Sequence, residues 1–207
     1  NSRSRATPAF SAKKPAAESD KSIAAARRVF SLAADGIAAL SKSLDADFAV
    51  CVELLLNIKG RLIVSGMGKS GHVGHKIAAT LASTGTPAFF VHAAEASHGD
   101  LGMVTKEDVV LALSNSGESE EIIVLLPLLQ RQGVPIVAIT AGAQSTLAQH
   151  ALAVLDCSVE QEACPLNLAP TASTAAQLAM GDALAMALLD ARGFQAEDFA
   201  RSHPGGS

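Results

Sequence analysis

Tryptophan and tyrosine are absent, and aromatic residues make up 3% of the chain. Single-stranded nucleic acid is held by stacking bases on aromatic rings, and duplexes by stripes of Lys and Arg. Neither feature is here. Sixteen Lys and Arg stand against 20 Asp and Glu, the formal net charge is −4, and no basic stripe follows the first tens of residues. Nucleic acid is therefore not an expected partner. Long apolar runs are also lacking: the longest candidate, Ala175 to Leu189, is interrupted by Gln177, Gly181 and Asp182, so no membrane association is expected. Cysteine is sparse. Cys51, Cys157 and Cys164 are scattered, odd in number and form no CxxC, which reads as reduced thiols in a cytoplasmic protein. Arg3, Arg5, Lys13 and Lys14 lie in a Ser/Ala/Pro-rich opening stretch with no apolar segment behind them, so export is not expected and residues 1–20 read as a flexible tail.

What is present fits one α/β domain over residues 21–207. Ile23, Ala26, Phe30, Ala33, Ile37 and Leu40 step by three and four, which predicts a helix over 21–40; a second follows over 46–58. Strands are expected at 61–65, 87–91, 109–113, 134–139 and 152–157, with helices at 72–84, from Glu120 to Gln130 and at 172–192. Strands alternating with helices through short turns predict a parallel sheet covered on both faces. Ligands of such sheets bind beyond the carboxyl ends of the strands, where the strand order reverses. The two leading helices have apolar sides to spare, which points to association between copies of the chain.

The stretch Asp108 to Gln130 concentrates the chemistry. A buried-type strand runs into Ser114-Asn115-Ser116-Gly117-Glu118-Ser119 and then into a helix. The first N–H groups of a helix lack internal partners and carry partial positive charge, so such a turn suits an anion. Hydroxyls at Ser114, Ser116 and Ser119 add neutral donors, and a phosphate is the ligand this spacing favours over simple capping. A second turn, Gly66-Met67-Gly68-Lys69-Ser70-Gly71, leaves the first strand on the same edge. It lacks the insert of a P-loop but matches GxGxxG. A dinucleotide would then want an acid at the end of the second strand, where this chain has His92. Otherwise the glycines let the backbone approach a smaller ligand while Lys69 and Ser70 face it. His72 and His75 lie three apart on one helix without a third ligand spaced to match, so no metal site is expected. Glu118, Glu120 and Glu121 suit the start of a helix through its dipole. Glu162, on the loop before the last long helix, can either be solvated or fold over the ligand edge as a general base.

Taken together these blocks resemble the sugar isomerase (SIS) domain of bacterial arabinose 5-phosphate isomerases. The resemblance runs from about Lys21 to the end. It is carried by Gly66–Gly71, Ala82–Pro87, His98–Val104, Ser114–Ser119, Glu162–Pro165, Leu168–Thr171, Met180–Ala185 and Ser202–Gly206. It implies a flavodoxin-like fold with a five-stranded parallel sheet, a homotetramer, and interconversion of D-arabinose 5-phosphate and D-ribulose 5-phosphate in Kdo and lipopolysaccharide biosynthesis. Carried over residue by residue, the phosphate cradle falls on Ser70, Ser114, Ser116 and Ser119, and the active-site polar set on Lys69, Glu121, Glu162 and His203. Glu121 enters through the resemblance alone. Lys69 is the expected electrophile, and Glu162 the first choice for the carbon base, with His203 moving the ring-opening or hydroxyl protons; these last two roles are exchangeable. The chemistry asks for no redox cofactor and no metal. Many members continue into a pair of CBS domains that this sequence does not contain. The rival readings are a non-catalytic phosphosugar-binding regulatory module and a sedoheptulose 7-phosphate isomerase.

Overall fold

The structure, a computed structural model, describes residues 16–202. Two helices come first, α1 (Ala16–Ser43) and α2 (Ala46–Leu56). There follow β1 (Leu62–Gly66), α3 (Gly68–Ser83), β2 (Ala88–His92), α4 (Ala93–Ser97) and β3 (Val109–Leu113). Next are α5 (Glu120–Ile123), α6 (Leu126–Gln132), β4 (Ile136–Thr140), α7 (Thr146–His150) and β5 (Ala153–Asp156). The long α8 (Ala172–Ala191) and short α9 (Ala196–Ser202) close the described chain.

All five strands pair in parallel in the order β2-β1-β3-β4-β5. β1, β3 and β4 are buried at every position, as unbroken aliphatic runs require when both faces of a sheet are covered. One face carries Leu62, Val64, Leu111, Leu113 and Ile139 against Leu55 of α2, Ile77 and Leu81 of α3, and Ala176, Leu184 and Leu188 of α8. The other carries Ile63, Val110, Ile136 and Ala138 against Ala93, Ile122, Leu126, Leu129 and Leu147 from the four short helices. The helices after β1 and β3 thus leave the sheet on opposite faces, opening a crevice between neighbouring strands at the topological switch point. The α/β architecture agrees with the sequence reading.

Several boundaries differ from expectation. The helix after β1 starts at Gly68, four residues early, because Gly71 packs against the Gly66 carbonyl, where a Cβ would come within 3.0 Å. That close approach overrides the poor helix propensity of glycine. The helix expected from Glu120 to Gln130 is two helices, with Pro127 in the first turn of α6; Pro lacks the N–H that would continue α5. The segment between β2 and β3 holds α4 and a single 3-10 turn, Asp100–Met103. α1 begins at Ala16, inside the stretch read as a tail; residues 1–15 lie outside the description. By length and composition α8 alone among the described helices suffices to cross a membrane. Its buried Ala176, Met180, Leu184, Ala185 and Leu188 instead form one wall of the core.

Candidate active site

The crevice between β1 and β3 is a cleft of about 320 Å³ lined by Met67, Lys69, Ser70, Leu113, Ser114, Asn115, Ser116, Ser119 and Pro170. Five of the residues singled out in the sequence (Lys69, Ser70, Ser114, Ser116 and Ser119) therefore meet in one cleft. A larger opening of about 720 Å³ lies at the other edge of the sheet, beside Val109, Pro135 and Leu152 at the amino ends of β3, β4 and β5. It lacks convergent helix amino ends, so the smaller cleft is the better ligand site despite its size.

The geometry of the two turns explains why they suit an anion. Met67 is the residue before α3, in extended conformation, and its side chain caps nothing. The opening N–H groups of a 16-residue helix are thus left to whatever occupies the cleft. Across from them, Ser114 is 2% exposed; its hydroxyl accepts from the Gly117 N–H at 3.1 Å and pairs with the Ser119 hydroxyl at 2.8 Å. Ser119 precedes α5 and also makes no cap bond. If Ser114 donates to Ser119, the Ser119 hydrogen is free for a ligand. Ser116 accepts from the Glu118 N–H at 3.1 Å and is otherwise open to the cleft.

The next connection braces this turn. The Asn115 carbonyl accepts from the Ala141 N–H at 3.0 Å and from the Thr140 hydroxyl at 3.3 Å. The Glu118 carboxylate accepts from the Thr146 N–H at 2.7 Å, at the start of α7. Gly117 has a φ of +69°, and a Cβ there would overlap the Ser145 hydroxyl, so only glycine fits.

Glu162 does not line the cleft, but its carboxylate bonds Thr171, the residue after the cleft-lining Pro170. Its carboxylate caps α8: Oε2 accepts from the Thr171 N–H at 2.7 Å, the Thr171 hydroxyl at 2.9 Å and the Ser173 N–H at 3.3 Å, while Oε1 accepts from the Ser173 hydroxyl. Burial alone would raise its pKa, but the hydrogen bonds from Ser173 and Thr171 outweigh it and hold the carboxyl below its ordinary value. The loop around it is closed by the Glu162 N–H on Asn167 Oδ1 at 2.8 Å, with Asn167 in the left-handed region at φ 53°. Glu162 is therefore not freely solvated: its carboxylate is held below its ordinary range at the amino end of α8, with three donors on Oε2 and one on Oε1.

Glu121, the second residue of α5, is half-buried and does not line the cleft. His203 lies outside the described residues. His72 and His75 are exposed on α3, with His75 stacked on Phe90 at 3.8 Å. Among the described residues, no three His, Cys, Asp or Glu side chains are grouped to hold a metal ion. Sequence reasoning passed over Met67, Asn115 and Pro170 as lining residues and Thr171 and Ser173 as partners of Glu162. The signal for the last two was the Pro-Thr-Ala-Ser start of α8, which marks a capped helix without naming the acid that caps it.

A five-stranded parallel sheet in this order, with a cleft at its switch point, defines a doubly wound α/β domain. The chain belongs to the SIS domain family, whose model matches residues 54–187. It is 62% identical over 185 residues to the arabinose 5-phosphate isomerase KdsD of Pseudomonas aeruginosa, covering 89% of this chain and 57% of that protein. It is 56% identical over 183 residues to KdsD of Yersinia pestis, covering 88% of this chain and 56% of that one. The chain thus spans little more than half the length of these relatives. Among solved structures, E. coli CFT073 c3406 in complex with arabinose 5-phosphate superposes with a TM-score of 0.86 at 39% identity, covering 89% of this chain and 98% of that one.

Proposed function

We propose that this domain interconverts D-arabinose 5-phosphate and D-ribulose 5-phosphate through an enediol, the step that feeds Kdo and lipopolysaccharide synthesis. The observation that carries the reading is the cleft itself: Lys69 and the uncapped amino end of α3 face three serines of the β3 turn. The likeness to relatives named for this reaction, and to a structure that holds arabinose 5-phosphate, supports it. The phosphate sits on Ser70, Ser114, Ser116 and Ser119, where neutral hydroxyls and helix amides meet its charge. The open-chain aldose gives up its C2 proton to a base, the electron pair forms the C1–C2 double bond, and the proton returns to C1. Lys69 stabilises the oxygen charge of the enediolate. Glu162 is the carbon base in this scheme, with Glu121 and His203 completing the polar set and His203 exchanging hydroxyl protons.

The domain works in the cytoplasm as a homotetramer. Its buried Cys51 and Cys157 are free thiols. Ile23, Phe30 and Ile37, seven residues apart on α1, are 47%, 72% and 42% exposed, an apolar stripe suited to another copy. The deciding experiment is incubation with arabinose 5-phosphate and a ketose-specific readout. Accumulation of ribulose 5-phosphate supports the isomerase. Tight binding without ketose would transfer the reading to a non-catalytic phosphosugar-binding module, and turnover of sedoheptulose 7-phosphate alone would change the substrate.

A further inference from the structure

Glu162 meets more donors than a surface carboxylate needs, and they are unevenly shared. A carboxylate offers about four lone-pair positions over its two oxygens. Oε2 receives three donors: the Thr171 N–H, the Thr171 hydroxyl and the Ser173 N–H. That oxygen is saturated. Oε1 receives one, the Ser173 hydroxyl, and keeps a lone pair open. Ser173 is 1% exposed, so its hydroxyl has no solvent to turn to and its orientation is fixed by packing. Thr171 is held in turn, its hydroxyl accepting from the Ala163 N–H at 2.9 Å while donating to Oε2. Pro170, the residue before Thr171, lines the cleft. The loop 158–170 and the first turn of α8 thus form one unit whose free valence is on Oε1.

We infer that Ser173 is a positioning residue for the isomerase reaction: its buried hydroxyl fixes the Glu162 carboxylate so that the open lone pair of Oε1, and not Oε2, takes the carbon-bound proton. The inference rests on the isomerase reading above. Ser173 does not touch substrate; it acts through Glu162. The transferred proton forms an O–H bond on Oε1 while the C2–H bond breaks, and the reverse transfer at C1 returns it, so the carboxylate is regenerated each turnover. Because the Ser173 hydroxyl donates to the carboxylate form, it also stabilises the ionised base against acid. Glu160 and Cys164 are the titratable groups on the same loop, while the first two turns of α8 carry no charge. None of these is among the causes that set the Glu162 carboxyl, which are burial and the bonds from Ser173 and Thr171.

The test compares Ser173→Ala, Ser173→Thr and Ser173→Cys with wild type in three readouts. These are kcat and KM for arabinose 5-phosphate, the acid limb of kcat/KM against pH, and a carbon-13 titration of the Glu162 carboxyl in the ligand-free protein. In Ser173→Ala, kcat should fall by roughly 10- to 100-fold with KM little changed. The acid limb and the carboxyl titration should both move to higher pH. Ser173→Thr, which keeps the hydroxyl, should restore all three, and Ser173→Cys, a weaker donor of similar size, should fall between and serves if the Ala variant does not fold. Wild-type turnover with an unchanged kcat in both Ser173→Ala and Ser173→Cys overturns the positioning role alone. Absence of wild-type turnover overturns the isomerase reading, and this role with it.

Discussion

Replacing Ser119 by Ala separates ligand binding from stability more cleanly than any other change in the cleft. The Ser119 hydroxyl caps nothing and bonds only the Ser114 hydroxyl, at 2.8 Å. Its loss leaves Ser114 still accepting from the Gly117 N–H and facing a cleft that water can enter. Folding stability should therefore change by no more than about 0.5 kcal/mol. A hydroxyl that donates to a phosphate contributes about 1.5–3 kcal/mol, and each 1.4 kcal/mol is tenfold, so affinity for the sugar phosphate should fall by roughly 10- to 100-fold. Ser114→Ala is the contrasting case. Ser114 is buried and supports the turn from within, so its removal should cost about 1 kcal/mol of stability as well as affinity, a melting shift of roughly 2–4 °C. Titration calorimetry with arabinose 5-phosphate and a thermal melt on the same samples give both quantities. Wild-type affinity in Ser119→Ala, or equal losses of stability in the two variants, would refute the cradle as drawn.

Three further outcomes are expected. Because the Glu162 carboxyl lies below its unfolded value, its stabilising contribution is complete above the unfolded pKa of about 4.3 and is lost as the pH falls through the folded one. Glu162→Gln should thus cost about 1 kcal/mol at pH 7, with the gap to wild type closing in acid, as urea denaturation at the two pH values will show. Burial pushes the Cys51 and Cys157 thiols up to about 12. Cys164 is lowered by the backbone N–H groups of Ala169, Leu168, Leu166 and Asn167. Iodoacetamide on the native protein at pH 8 should give one adduct by mass spectrometry, at Cys164; two would contradict the burial. If copies associate through the exposed side of α1, as proposed, Phe30→Lys should lower the molar mass read by light scattering relative to wild type and leave the far-ultraviolet circular dichroism unchanged; an equal mass in both would refute that surface.

Local signals were enough for the layout. Unbroken aliphatic runs at Leu62–Val64, Val109–Leu113 and Ile136–Ile139 suit strands covered on both faces, as they are in the fold. Their alternation with helices left a parallel sheet as the solution. The two glycine- and serine-rich turns were also legible, because a chain leaving a buried strand for a helix must place its free amides at the sheet's carboxyl edge. From these, the convergence of Lys69, Ser70 and Ser114–Ser119 followed as soon as β1 and β3 were neighbours. Strand order was not in the residues themselves: periodicity says which face of an element is apolar and nothing about which strand lies beside it.

The state of Glu162 belonged wholly to tertiary structure. Its sequence context allowed a solvated carboxylate or a base over the ligand edge; the folded chain fixes it at the start of α8, nine residues from Thr171 and eleven from Ser173. A bond across that separation depends on where the loop is carried by β5 and α8, which no local pattern encodes. The same holds for the bracing of the serine turn by Thr140, Ser145 and Thr146, and for the break between α5 and α6. Sequence determined which groups could bind an anion because backbone amides and hydroxyls are local properties of turns. Only the fold decided which of them are free, because a donor is free or spent according to what distant segment is packed against it.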